Sequence, residues 1–171
     1  MSKASKKTPK KIESNTDFSI TVFLPMKNER KNVIRKIDEV LSMDRPDSSF
    51  KLLIIDSNST DGTLELATNY LQEISTAPPW DLLKVERPGK SFAVNKALDV
   101  IDSEIMVMMD SDAVSPRDTL VRISSHFEDE QIGAVCGMLD LENSDLAEYR
   151  QRFNTLRLGE SAIWGTPIFE G

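Results

Sequence analysis

The sequence predicts an α/β protein in which a mostly parallel sheet carries helices on both faces. Short apolar runs rich in Val, Ile and Leu alternate strictly with segments of helical apolar spacing, in the order β-α-β-α-β-α-β-α-β-α. Strict alternation requires crossover connections, which are right-handed and lay the helices over the sheet. The third observation is where the polar residues fall. Four strands in succession end in charged or amide groups, on the rim where open parallel sheets bind ligands.

Order is expected from residue 18 onward. Residues 18–24 read as the first strand, ended by Pro25. After Lys27-Asn28-Glu29 comes a helix with Val33, Ile34, Ile37, Val40 and Leu41 on one face. Residues 50–55 form a second strand buried on both sides, ending at Asp56. The turn 57–62 leads into a helix with Leu64, Ala67, Leu71 and Ile74 at helical spacing, and Asp61 stands where a cap would. Pro78-Pro79 closes that unit. Residues 82–86 are a short third strand, and Arg87-Pro88-Gly89-Lys90 precedes a helix faced by Ala93, Val94, Ala97, Leu98 and Ile101. The apolar run 105–109 meets Asp110, and Ser115-Pro116 opens a helix faced by Leu120, Ile123 and Phe127. Residues 132–137 read as a fifth strand, and Leu146, Tyr149, Phe153 and Leu156 mark a last helix.

With 171 residues, 39% hydrophobic and 29% charged, the chain suits one soluble domain over 18–171 behind a disordered tail, 1–17. The tail is basic and the body acidic: the formal net charge is −7, and the five lysines among the first eleven residues leave −12 for the rest. An acidic body argues against a nucleic-acid groove, and the tail's one membrane role would be peripheral contact with anionic lipid. The single cysteine, Cys136, excludes an internal disulfide and reads as a buried, inert thiol in the fifth strand. No apolar run approaches the roughly 18 residues of a membrane span, and no apolar leader segment precedes the domain, so a cytoplasmic location is expected.

The chemistry concentrates in Asp110-Ser111-Asp112. Residues i and i+2 of an extended chain point the same way, so the two carboxylates project together, roughly 6 to 7 Å apart along the backbone. A divalent cation, Mg²⁺ or Mn²⁺, suits such a pair, because an ion held by few protein oxygens keeps positions free for substrate phosphates. A polar turn after a strand is the plainer reading. Lys90 opens a helix, where a cation is disfavoured by the helix dipole, so an anion is expected beside it; a solvated lysine at modest cost is the alternative. Asp56 ends a buried strand without an obvious capping role and is a candidate acceptor for a base N–H. Asp61 is explained by capping alone, and Asn28 and Glu29 by the first turn of a helix. His126 reads as a surface residue, and Trp80 and Trp164 as packing.

These residues resemble the family 2 glycosyltransferases, which have the nucleotide-diphospho-sugar transferase fold called GT-A, a Rossmann-like arrangement. Pro25-Met26-Lys27-Asn28-Glu29 resembles the family's P-x-x-N-E, and residues 54–63 (IIDSNSTDGT) resemble V-V-D-D-G-S-T-D-G-T. Residues 89–95 (GKSFAVN) resemble G-K-x-x-A-L-N, and Asp110-Ser111-Asp112 resembles D-x-D. The resemblance implies that Pro25, Asn28 and Glu29 line the nucleoside pocket with Asp61 on the same donor side, that Asp56 receives the base, and that Lys90 and Ser111 lie by the donor. It implies Asp110 and Asp112 as metal ligands, and a metal-assisted, inverting transfer from a nucleotide-diphospho-sugar to a glycan, lipid or protein acceptor. Ser57 and Asn58 replace the family's Asp-Gly, which leaves base preference open. The family's acceptor-activating acid follows a segment that residues 165–171 begin, so the general base is expected beyond Gly171 and the chain reads as C-terminally truncated. Two other readings stand beside this one. A nucleotide-sugar-binding module without turnover fits the absent base, and a sugar-phosphate nucleotidylyltransferase shares the alternating architecture but wants a Gly-rich basic loop after strand one. A dehydrogenase is disfavoured because no G-x-G-x-x-G follows any strand.

Overall fold

The computed structural model describes residues 18–45, 49–87 and 89–137. Among them the elements are β1 (Ile20–Met26), α1 (Val33–Leu41), β2 (Phe50–Asp56), α2 (Thr63–Glu73), β3 (Trp80–Lys84), α3 (Lys90–Val100), β4 (Ile105–Met108) and α4 (Thr119–His126). The chain divides into two compact units between Glu130 and Gln131, and all eight elements belong to the first.

All strand pairs are parallel, and the sheet order is β3-β2-β1-β4. Ile20 lies level with both Phe50 and Ile105, so residues of matching parity share a face. Val22, Leu24, Leu52, Ile54, Ile105 and Val107 pack with Val33, Ile37 and Val40 of α1, Ala67 and Leu71 of α2, and Leu120 of α4. The opposite face, Phe23, Leu53 and Ile55, is covered by Ala93 and Ala97 of α3. Helices on both faces are what a parallel sheet with crossovers requires. The chain winds from β1 outward through β2 to β3, then returns to place β4 on the other side of β1. Its connections therefore part company between β1 and β4, and a crevice beyond those strand ends is where such sheets bind ligands.

Several boundaries differ from expectation. Pro25 does not end β1 but lies inside it, opposite Ile55. Met26 O accepts from Ser57 on the β2 side, whereas Phe23 O accepts from Met109 on the β4 side, so peptide groups alternate and the nitrogen of Pro25 faces β4. A proline is tolerated there because the ladder with β2 loses nothing. The ladder with β4 would need an N–H at position 25 to continue and stops at Met108, which frees the segment from Asp110 onward. β3 begins two residues earlier than expected, at Trp80, directly after Pro79, whose carbonyl accepts from Leu52 N–H at 3.0 Å. As an edge strand it alternates weakly in burial, so its apolar run marked the place but not the start. α4 begins at Thr119 rather than Ser115-Pro116, and His126, expected in mid-helix, is its exposed last residue.

The expected fifth strand is absent: residues 132–137 carry no strand and are exposed to half-buried, Cys136 included, so the reading of a buried core thiol is also corrected. Gly133 interrupts that run, and glycine inside a strand pattern weakens it. The expected last helix and Trp164 lie outside the described residues. Among the described residues no helix is long and apolar enough to cross a membrane.

Candidate functional site

The carboxyl ends of β1 and β2 lie level, Met26 opposite Asp56, and their following loops are stitched together. Asn28 and Asn58 both hold positive φ, 56° and 61°, a conformation asparagine tolerates better than most residues. Thr60 N–H donates to Asn28 Oδ1 at 2.9 Å, and Asn28 N–H to Ser59 Oγ at 2.8 Å. Glu29 N–H donates to Thr63 Oγ1 at 2.8 Å, and Arg30 N–H to Asp61 Oδ2 at 3.1 Å. Asn28 is therefore held in a turn tied to the neighbouring loop, while Glu29 O accepts from Asn32 and Val33 N–H and leads into α1, which begins at Val33. Glu29 Oε2 in turn accepts from Asn32 Nδ2 at 2.8 Å.

Asp61 acts from one residue before the capping position, which Gly62 occupies with φ 83°. Its Oδ1 accepts from Thr63 N–H at 3.0 Å and Thr63 Oγ1 at 2.5 Å. A Cβ at position 62 would press only on the end of the Arg30 side chain, which can move aside, so glycine is needed there for its φ. The Thr63 hydroxyl, followed by the Arg30 and Thr63 N–H groups, holds the Asp61 carboxyl below its ordinary value of 3.8. A lowered folded-state pKa contributes stability above the unfolded value and loses it as pH falls through the folded one. Asp61→Asn is accordingly expected to flatten the acid limb of a Tm-against-pH profile below about pH 4, and, because an amide has one acceptor oxygen where the carboxylate uses two, to give up either the Arg30 or the Thr63 bond at neutral pH.

Asp56 is 1% exposed. Its Oδ2 accepts from Ser59 N–H at 3.0 Å, while its Oδ1 is buried and has no hydrogen-bond partner among the described residues. Orphaned buried acceptors are rare, because leaving one unpaired costs about 1–3 kcal/mol.

On the far side of β1, Lys90 and Asp110 meet. The ammonium lies 2.9 Å from Asp110 Oδ1 and 3.2 Å from Oδ2, with both side chains a little over one-third exposed. The anion that offsets a cation at the start of α3 is thus Asp110 itself. Gly89 before it has φ 139°, and a Cβ there would press on the Phe92 ring at 3.3 Å. No side-chain hydrogen bond is made at the Gly89 cap position of α3 among the described residues, and the Phe92 and Ala93 N–H groups donate to Gly89 O, ahead of which lie those of Lys90 and Ser91. Asp110 is half-buried, Ser111 buried and Asp112 exposed, and residues 111 and 112 form a bend beyond the end of β4 rather than extended strand. Ser111 Oγ is buried without a partner among the described residues.

Arg30, Ser59 and Thr63 were not singled out from the sequence; each works through a hydrogen bond that only the paired loops create. Lys36 had a signal: it interrupts the apolar stripe Val33, Ile37, Val40, and it is fully buried.

Paired loops beyond β1 and β2, with a lysine-carboxylate pair between the start of α3 and the end of β4, make this an open-sheet α/β domain with its polar residues gathered on the carboxyl rim. The chain belongs to the glycosyl transferase family 2, whose family model matches residues 21–169. It is 30% identical over 132 residues to a beta-monoglucosyldiacylglycerol synthase of Nostoc sp., covering 74% of this chain and 27% of that protein. It is 26% identical over 149 residues to glycosyltransferase AglE of Haloferax volcanii, covering 83% of this chain and 47% of that one. Among solved structures, mannosyltransferase PcManGT from Pyrobaculum calidifontis, in complex with GDP-Man and Mn²⁺, superposes with TM-score 0.78 at 32% identity, covering 96% of this chain and 46% of PcManGT. The chain thus spans between about a quarter and a half of the length of these relatives, and its fold is the GT-A fold of the family.

Proposed function

We propose that the chain forms the donor-binding part of a nucleotide-sugar-dependent glycosyltransferase, which works by displacement at the anomeric carbon with a nucleoside diphosphate leaving. The observation that carries this reading is the orphaned Oδ1 of Asp56, a buried acceptor among the described residues that a base N–H would satisfy. Pro25, Asn28 and Glu29 border the nucleoside side, and Asp61 supports it by holding Thr63 and Arg30. Lys90 and the uncapped start of α3 offer an ammonium and N–H groups to the diphosphate.

Asp110 and Asp112, with Ser111 between them, form the cation side. No third His, Cys, Asp or Glu joins them as a metal cluster among the described residues. That donor set suits Mg²⁺ or Mn²⁺, which take few carboxylates and complete their shell with substrate phosphates and water. When bound, the cation would neutralise charge on the departing diphosphate. The acceptor is a glycan, lipid or protein, and the group that deprotonates it is assigned to none of the described residues. A cytoplasmic location, with the basic tail against an anionic membrane face, is the placement that tail and the single cysteine support.

Thermal-shift measurements with UDP-, GDP- and dTDP-sugars, each with and without Mn²⁺, test the reading. At least one sugar nucleotide is expected to raise Tm with Mn²⁺ present, and the rise should vanish in Asp112→Ala and in Asp56→Ala. Shifts of equal size in the parent and both variants would defeat it. Release of nucleoside diphosphate by the bound chain separates a transferase from a module that binds without turnover.

A further inference from the structure

Released from the sheet after Met109, the segment carrying Asp110, Ser111 and Asp112 is held instead by one turn of α1. Arg35 NH2 donates to Ser111 O at 2.6 Å, and Lys36 Nζ to Ala113 O at 3.1 Å. Glu39 Oε1 accepts from Ser115 N–H at 3.0 Å. The three side chains also bind one another: Lys36 Nζ lies 2.7 Å from Glu39 Oε1, and Arg35 NH1 lies 3.3 Å from Glu39 Oε2. Three alternate residues, 111, 113 and 115, thus present peptide groups to α1. Their neighbours face elsewhere: Asp110 reaches Lys90, and Asp112 and Val114 are exposed.

We propose that Arg35, Lys36 and Glu39 are positioning residues that fix the rotation of residues 111–115 and so aim Asp110 and Asp112 at a cation-bound diphosphate, an inference that rests on the donor-binding function above. A fully buried lysine is a poor choice for packing alone. An apolar residue of similar volume would fill the same space with no charge to desolvate. What the lysine does that an apolar residue cannot is hold the carbonyl of Ala113 and the carboxylate of Glu39 at once. Residues that orient metal-binding carboxylates from behind commonly change metal affinity by 10–100-fold when replaced.

The test uses the full chain with Mn²⁺ as probe, titrated by electron paramagnetic resonance with GDP and separately with UDP. Arg35→Met and Lys36→Met are compared with Asp112→Ala, and the metal-free Tm is recorded for each. Arg35 is 41% exposed, so Arg35→Met is expected to keep its metal-free Tm and bind Mn²⁺ with nucleotide about tenfold more weakly. Arg35→Lys, which retains one donor toward the Ser111 carbonyl, is expected to recover part of that loss, whereas a general packing role gives no such recovery. If Lys36→Met fails to fold, the Arg35 pair still decides. Parent-like binding in Arg35→Met beside weakened binding in Asp112→Ala overturns the clamp and leaves the donor site standing. Parent-like binding in Asp112→Ala, or no Mn²⁺ binding by the parent with either nucleotide, overturns the donor reading and the clamp with it.

Discussion

Asp110→Asn is expected to lower release of nucleoside diphosphate from a nucleotide-sugar by about 10²–10³-fold while moving Tm by only a degree or two. The substitution keeps the size of the side chain and removes its charge. Its ion pair with Lys90 is half in water, so as a fastening it contributes no more than about 1 kcal/mol. In the proposed donor site, by contrast, the same carboxylate would both steady Lys90 beside the diphosphate and supply one of two acidic ligands to the cation. Steady-state assays of diphosphate release, paired with thermal unfolding of the same preparations, separate the two effects. Turnover within threefold of the parent would show that the pair is a surface ion pair and nothing more.

The largest effect on stability is expected from Glu39→Ala, a loss of about 3 kcal/mol in urea unfolding. Lys36 has no exposed side-chain surface, and Glu39, 14% exposed, is its only carboxylate partner among the described residues. Removing that partner leaves a buried ammonium with one carbonyl, and an uncompensated buried charge is among the costliest single defects. The cause is separable from lost contacts. Adding Lys36→Met to Glu39→Ala removes the stranded charge and is expected to restore most of the loss, so a double variant no more stable than the single would assign the defect to packing instead.

The alternation of strands and helices was legible in the sequence because each apolar run is short and each helical stripe keeps its period, as in Val33, Ile37 and Val40. The rim was legible too, since Asn28, Asp56, Lys90 and Asp110 all follow strands. Sheet order was not, because nothing in a parallel run such as residues 105–108 says which neighbour it will find. Pro25 was misread as a stop, since a proline's effect depends on which way its nitrogen faces, and that is settled only once β2 and β4 take opposite sides of β1. The run at 132–137 had strand composition but carries no strand, since composition alone does not make a ladder. The Arg35-Lys36-Glu39 group was out of reach for a different reason: its partners lie some 76 residues away and are backbone groups, which look alike in any sequence.

The placement of β1 also bears on how the molecule assembles. β1 joins β2 across 30 positions, Ile20 to Phe50, but meets β4 across 85, Ile20 to Ile105. Closing the longer span costs about 1 kcal/mol more in chain entropy. During synthesis the N-terminal strand must stay open on one flank until the polypeptide has grown past Met108. The half of the rim bearing the acidic pair is therefore the more expensive half to bring together, and the nucleoside half can be in place before it.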